Sequence, residues 1–397
     1  MTGINLEKLN KNSKEYSLLH RVPSGCAVFG IINESGKNFS GRKVIDGITL
    51  MHERSNGLGG GFAAYGIYPE FGSDWAFHIF YDDMDAKKNT EKELENNFDI
   101  LLSEEIPTRK TGRIENPPII YRYFLKTNDS LRESGGEEDF IVGLVMRINT
   151  LIRGAYIISS GKNMGIFKGV GYPEDIGEFY RLDEYKGYLW TSHGRFPTNS
   201  VGWWGGAHPF GLLDWSVVHN GEISSYGTNK RFVSGFGYEC TLSTDTEVIT
   251  YLFDLLVRKQ KINMELVHLV LASPLWEEIE RMQPDASELA GALRMLYGSA
   301  LLNGPFNIIV GSSSSMYALN DRIKLRPMVA ARQGDYLIVS SEEAPIRKVF
   351  TSADRIWHPN GGEPVIGILK KDLQGEINNN DKLKSAGAVL SGPGSGK

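Results

Sequence analysis

The order of apolar runs along the chain limits the fold more than any other feature. Strand-like runs come first, CAVFGIIN from Cys26 and FAAYGIY from Phe62, and resume at FIVGLVMRI (140–148), AYIISS (155–160) and YLWTSHGRF (188–196). Residues 245–300 then read as mostly helical, with the apolar positions of EVITYLFDLLV spaced by three and four. Five short strand-like runs follow: NIIVGSS, SMYALN, PMVAAR, DYLIVSS and EPVIGIL. Strands, then helices, then strands, without strict βαβ alternation, fit a layered α+β architecture better than a doubly wound parallel sheet.

At 397 residues the chain exceeds the roughly 250–300 at which one core stops growing, which leaves two domains or one large domain with insertions. The second arrangement is favoured here. Residues 1–25 are polar, end in Pro-Ser-Gly and read as a detachable leader. Residues 26–375 form the domain, and 376–397, ending in a Gly/Ser-rich stretch, form a flexible tail. Between about 82 and 140 the composition turns to charge and Asn, as in AKKNTEKELENNFDILLSEE, which reads as a solvated helix within an insertion.

A net charge of -5, with acidic and basic residues interspersed, gives no footprint for nucleic acid. No run approaches the ~18 apolar residues that span a bilayer, and the N-terminus lacks the apolar core of a signal peptide, so no membrane partner and a cytoplasmic location are expected. Two cysteines, Cys26 and Cys240, provide neither a disulfide framework nor a cluster for zinc or iron–sulfur.

Four short stretches carry chemistry: Gly25-Cys26-Ala27-Val28-Phe29-Gly30, His193-Gly194-Arg195-Phe196-Pro197-Thr198-Asn199, His219-Asn220-Gly221-Glu222-Ile223, and Ser243-Thr244-Asp245-Thr246-Glu247. Each has a plain reading on its own: an unpaired cysteine opening a strand packs as a small hydrophobe, and Asn-Gly is a turn. Taken together they make sense around one small substrate bearing an amide, a carboxylate and an ammonium. A thiol attacks the amide carbon, an Asn side chain and a Gly N–H hold the oxyanion, a guanidinium clamps the carboxylate and an Asp pairs with the ammonium. That substrate is L-glutamine.

In this order the stretches resemble the class II glutamine amidotransferases, and most the amidotransferase domain of glutamate synthase. The resemblance runs in pieces from Cys26 to Leu369 and includes Leu319-Asn320-Asp321-Arg322-Ile323-Lys324-Leu325-Arg326-Pro327. It implies a four-layer αββα N-terminal-nucleophile fold and Cys26 exposed by autocatalytic removal of the leader, its freed α-amine serving as the base. By motif, Arg195 would bind the glutamine carboxylate with Thr198 nearby, Asn220 and Gly221 would form the oxyanion hole, and Asp245 would bind the ammonium. His193 and His219 are read as structural, Cys240 as packing, and His208 as near the pocket. Pro197 stands where the family often has Ser, and His52-Glu53-Arg54-Ser55 replaces its usual His-Arg-Gly. Trp203 and Trp204 read equally as part of a lid or as structural aromatics.

No flavin barrel, iron–sulfur triplet or ATP-binding serine loop is legible, and Ser134-Gly135-Gly136 runs into Glu137-Glu138. The resemblance therefore implies no cofactor in this chain and a separate synthase subunit in a hetero-oligomer, which for a glutamate synthase would carry FMN and an iron–sulfur cluster. An amidotransferase-like subunit of N-methylglutamate synthase, a non-catalytic regulatory subunit retaining the fold, and an amidohydrolase acting on another amide are the alternatives. Both ends of an amino acid matched by Arg195 and Asp245 argue against the last.

Overall fold

The structure, a computed structural model, describes residues 25–128, 131, 136–196 and 202–370. Among these residues two antiparallel sheets form the centre. One holds seven strands in the order Arg355–Trp357, Val329–Gln333, Tyr336–Ser340, Ala27–Asn33, Leu189–Gly194, Gly60–Tyr65 and Met164–Gly169. The other holds Phe210–Leu212, Trp215–Gly221, Phe306–Gly311, Ser315–Asn320 and Val365–Ile368. Val28 from the first sheet shares a buried cluster with Val218, Ile309, Met316 and Ala318 from the second, so the two pack face to face.

Ala27–Asn33 is buried along its whole length, which explains why its sequence is an unbroken apolar run rather than an alternating one. Its outward face meets the Arg42–Thr49 helix, which lies with Pro173–Phe179 and Glu343–Val349 over the seven-stranded sheet. Asp245–Phe253 covers the other sheet, and Tyr226–Ser234 packs against that helix. The result is the expected α+β, αββα arrangement of layers.

A third sheet, ordered Asp99–Glu105, Ile119–Lys126, Trp75–Tyr81 and Ala155–Lys162, lies beside Phe210–Leu212 through its Ala155–Lys162 edge. Two local readings change here. The charged segment is helical over Met84–Asn97, capped by the Asp83 carboxylate accepting from the Ala86 N–H at 2.8 Å, but its FDILLSEE end becomes the Asp99–Glu105 strand, with alternating exposure. FIVGLVMRI, read as strand-like, lies in the Glu137–Leu151 helix. Its buried Ile141, Leu144, Val145 and Ile148 recur at three and four, and three acidic residues in the first turn complement the helix dipole. Among the described residues no helix is long and apolar enough to cross a membrane. No group of three or more metal-ligating side chains occurs among them either.

Candidate active site

Because Ala27–Asn33 begins one residue after Cys26, the cysteine stands at the lip of the central strand, half-buried and unpaired. Its Sγ accepts the Phe196 backbone N–H at 3.3 Å, and its carbonyl accepts Arg54 Nε at 3.1 Å. Arg54 is itself held by Glu342 at 2.7 Å. Burial pushes the thiol above its ordinary range, while the Phe196 N–H, Arg195 and Arg326 pull it down and Asp245 pushes it further up. The balance lies on the raised side, so the sulfur is a thiol that needs a proton acceptor before it attacks.

Arg195 follows the neighbouring strand Leu189–Gly194, whose Gly194 pairs with Ala27, and this register sets its backbone beside the cysteine. The side chain is buried, with Nη1 donating to the Gly206 carbonyl at 2.8 Å. Asp245 opens a helix behind an N-cap in which Thr244 Oγ1 accepts the Glu247 N–H at 3.1 Å. One Asp245 oxygen accepts the Ile223 N–H at 3.1 Å, and the other lies 3.5 Å from His219 Nδ1. Burial alone would raise this carboxyl, but His219, the Ile223 N–H and the Thr246 hydroxyl together hold it below the usual range, so it stays an anion at neutral pH.

Asn220 and Gly221 end the Trp215–Gly221 strand opposite Asn307 and Phe306, so the Asn-Gly pair is a strand terminus and not a two-residue hairpin. Asn220 Nδ2 donates to Ser341 Oγ at 3.2 Å, and the same Oγ accepts the Val28 N–H at 3.1 Å. This shared hydroxyl ties Asn220 to the cysteine strand. Gly221 has φ +155, and a Cβ there would lie 2.0 Å from the Pro305 carbonyl oxygen. Gly221→Ala is expected to lose at least about 1–3 kcal/mol of stability from backbone strain alone, with the clash adding to it; an unchanged denaturation midpoint would overturn this.

The three histidines near these residues are buried. His193 Nε2 lies 2.9 Å from the His219 carbonyl oxygen, the His193 and His208 rings stack at 4.0 Å, and His208 Nε2 lies 3.2 Å from Thr246 Oγ1. Burial pushes His193 down to about 3 and His208 well below its ordinary range, so both are neutral. Cys240 is buried, its thiol pushed up to about 12 by burial. Trp204 packs edge-on against Phe80 and Phe179, and Trp203 against Tyr156, which favours their structural reading. Thr198 lies outside the described residues.

Cys26, Arg195, Asn220, Gly221 and Asp245 thus come from four separated stretches to one end of the sandwich. Arg54, Arg326 and Ser341 join them without having been assigned roles from the sequence. Arg326 Nη1 would stand 3.4 Å from a Cβ on Gly25, so two guanidiniums, Arg54 and Arg326, flank the peptide before the cysteine. A nucleophile beside a buried cation, a half-buried anion and a strand-end amide can hold an amino-acid backbone while its side-chain carbonyl is attacked.

The family pattern of the glutamine amidotransferases class-II matches residues 83–384; Cys26 precedes the matched span. An uncharacterized protein of Archaeoglobus fulgidus is 52% identical over 349 residues, covering 87% of this chain and 92% of that protein. The glutamine amidotransferase-like protein GlxB of Rhizobium meliloti is 27% identical over 205 residues, 51% of this chain and 59% of its own length. Among solved structures, the glutamine phosphoribosylpyrophosphate amidotransferase of B. subtilis, complexed with ADP and GMP, is similar at 16% identity and a TM-score of 0.43. That similarity covers 86% of this chain and 47% of that one, so the chain spans about half the enzyme's length. With the family pattern running over more than half of its residues, the chain belongs to the class II glutamine amidotransferases.

Proposed function

We propose that this amidotransferase hydrolyses L-glutamine through a thioester on Cys26 and delivers the ammonia to a synthase on a separate polypeptide, as in a split glutamate synthase. The observation that carries the glutaminase step is that Arg195 and Asp245, opposite in charge, both act on the Cys26 thiol. A substrate whose amide lies at the sulfur then has a cation for its carboxylate and an anion for its ammonium. In the proposed reaction the thiol proton passes to the Cys26 α-amine, sulfur bonds to the amide carbon, and the oxyanion rests against Asn220 and the Gly221 N–H. The C–N bond breaks with proton return to the leaving nitrogen, and water hydrolyses the thioester to glutamate.

Thr198 is assigned to the carboxylate end beside Arg195 on its motif alone. The proposed acceptor rests on the wording of Arg-Phe-x-Thr-Asn and His-Asn-Gly-Glu-Ile, which resembles that of glutamate synthase. On this reading 2-oxoglutarate receives the ammonia on a partner carrying FMN and an iron–sulfur cluster. N-methylglutamate synthase is the second reading, and methylamine offered against 2-oxoglutarate separates the two.

The intact mass of the purified protein tests the first step. A chain starting at Cys26 is expected, with a free α-amine of ordinary pKa near 8 available as base. A chain starting at Met1 or Thr2 that nevertheless hydrolyses glutamine would overturn the role given to that amine.

A further inference from the structure

Lys168 is a lysine with no exposed surface, placed on the Met164–Gly169 strand in the interior. Among the described residues no carboxylate lies within ion-pair distance of it. Its Nζ donates to the Gly205 carbonyl at 2.9 Å and stands 4.2 Å from the centre of the Phe210 ring. The next carbonyl along, Gly206, is the one that accepts Arg195 Nη1 at 2.8 Å. Two buried cations therefore hold two consecutive carbonyls of one loop. Gly61, opposite Lys168 in the sheet, lets this loop come close, since a Cβ there would meet the His208 carbonyl oxygen at 2.3 Å.

On its other side Lys168 shares a cavity of about 10 Å³ with Glu247, room for a single water. Glu247 accepts the Thr241 and Leu242 N–H groups, each at 3.0 Å, and the Tyr251 hydroxyl at 3.1 Å. It sits two residues after Asp245 in the same first helical turn. Lys168 thus lies behind both charged groups assigned to substrate recognition.

The geometry points to Lys168 as a positioning residue for glutamine: its ammonium fixes the Gly205–Gly206 peptide and, through Gly206, the direction of the Arg195 guanidinium. This rests on the proposed glutaminase reading. A buried cation held by one carbonyl is costly to keep, and a costly group beside a recognition site is retained for what it does there. Burial pulls Lys168 down to about 7, with Arg195 lowering it further and Glu247 opposing. The groups facing it are Arg195, which follows the Leu189–Gly194 strand one strand further into the sheet, His208 and Phe210 from the loop and the strand it enters, and Glu247 and Tyr251 from the Asp245–Phe253 helix.

The sign follows from the lowered value. Between about 7 and 10.5 the unfolded chain binds a proton that the folded chain lacks, so this lysine's cost to stability is greatest below pH 7 and falls as pH rises. Lys168→Met removes that cost and the Gly205 contact together. The expected result is a melting temperature at pH 6.5 that is unchanged or higher, with KM for glutamine raised about tenfold and kcat little altered. In the unaltered protein KM should climb from pH 6 to 8, a climb the variant lacks. An unchanged KM in a folded variant, or a flat KM profile in the unaltered protein should the variant not fold, would overturn the assignment. Glutamine hydrolysis by the unaltered protein, read in the same series, checks the glutaminase reading separately.

Discussion

Cys26→Ala is expected to lower glutamine hydrolysis by about 10⁴-fold or more while leaving the melting temperature within a few degrees of the parent. The two halves of this expectation have separate causes. Cys26 is half-buried at the end of a strand, and its sulfur's hydrogen-bond contacts among the described residues are both to the Phe196 backbone, accepting its N–H at 3.3 Å and donating to its carbonyl at 3.9 Å, so its loss removes little packing. Chemically, no second thiol can replace it: Cys240 is buried and held protonated. The neutral His193 and His208 are committed to the interior and cannot serve as the base. Because the Cys26 thiol is itself raised, thiolate is scarce at neutral pH, and the rate should climb through the pKa of the α-amine near 8. Acetylating that amine should remove both the climb and the activity. A variant that keeps a tenth of parental activity, or a rate flat from pH 6 to 9, would rule out Cys26 as nucleophile with its own amine as base.

Much of this site was legible because the chemistry resides in four short stretches whose residue types are informative: a cysteine after Pro-Ser-Gly, an arginine shortly before Thr-Asn, an Asn-Gly and an Asp in a capped helix start. The layers were legible for a related reason, since Ala27–Asn33 and Phe306–Gly311 are buried on both faces and therefore read as apolar runs. What escaped was set by tertiary register. Arg54 reaches the Cys26 carbonyl across 28 residues, and Ser341 reaches Val28 across 313 and Asn220 across 121, and no such spacing leaves a local pattern. FIVGLVMRI was misread because β-branched and aliphatic residues pack on a helix face as readily as on a sheet when both sides are covered. Lys168 sits in an apolar run, IFKGV, where nothing marks whether the cation points in or out.

Asn220→Ala is expected to lower kcat by about 10²–10³-fold with little change in KM. The asymmetry follows from what the amide can reach. Asn220 Oδ1 is buried without a partner among the described residues, while Nδ2 donates to Ser341 Oγ. That hydroxyl already accepts the Val28 N–H, so its own proton remains free to donate. Turning the amide about its last torsion lets Ser341 donate to Oδ1 and releases Nδ2 toward an oxyanion forming at the Cys26 thioester. The contact is made as charge develops and not in the ground state, so its removal appears in kcat. The Gly221 N–H remains as the second donor, which is why the loss stays well short of that for Cys26. Removal of the Ser341 hydroxyl separates this role from simple packing: Ser341→Ala should cost less in kcat than Asn220→Ala, because the amide that meets the oxyanion is still present. Equal losses from the two changes, accompanied by equal losses in melting temperature, would make Asn220 a structural bridge between the sheets and leave the oxyanion to Gly221.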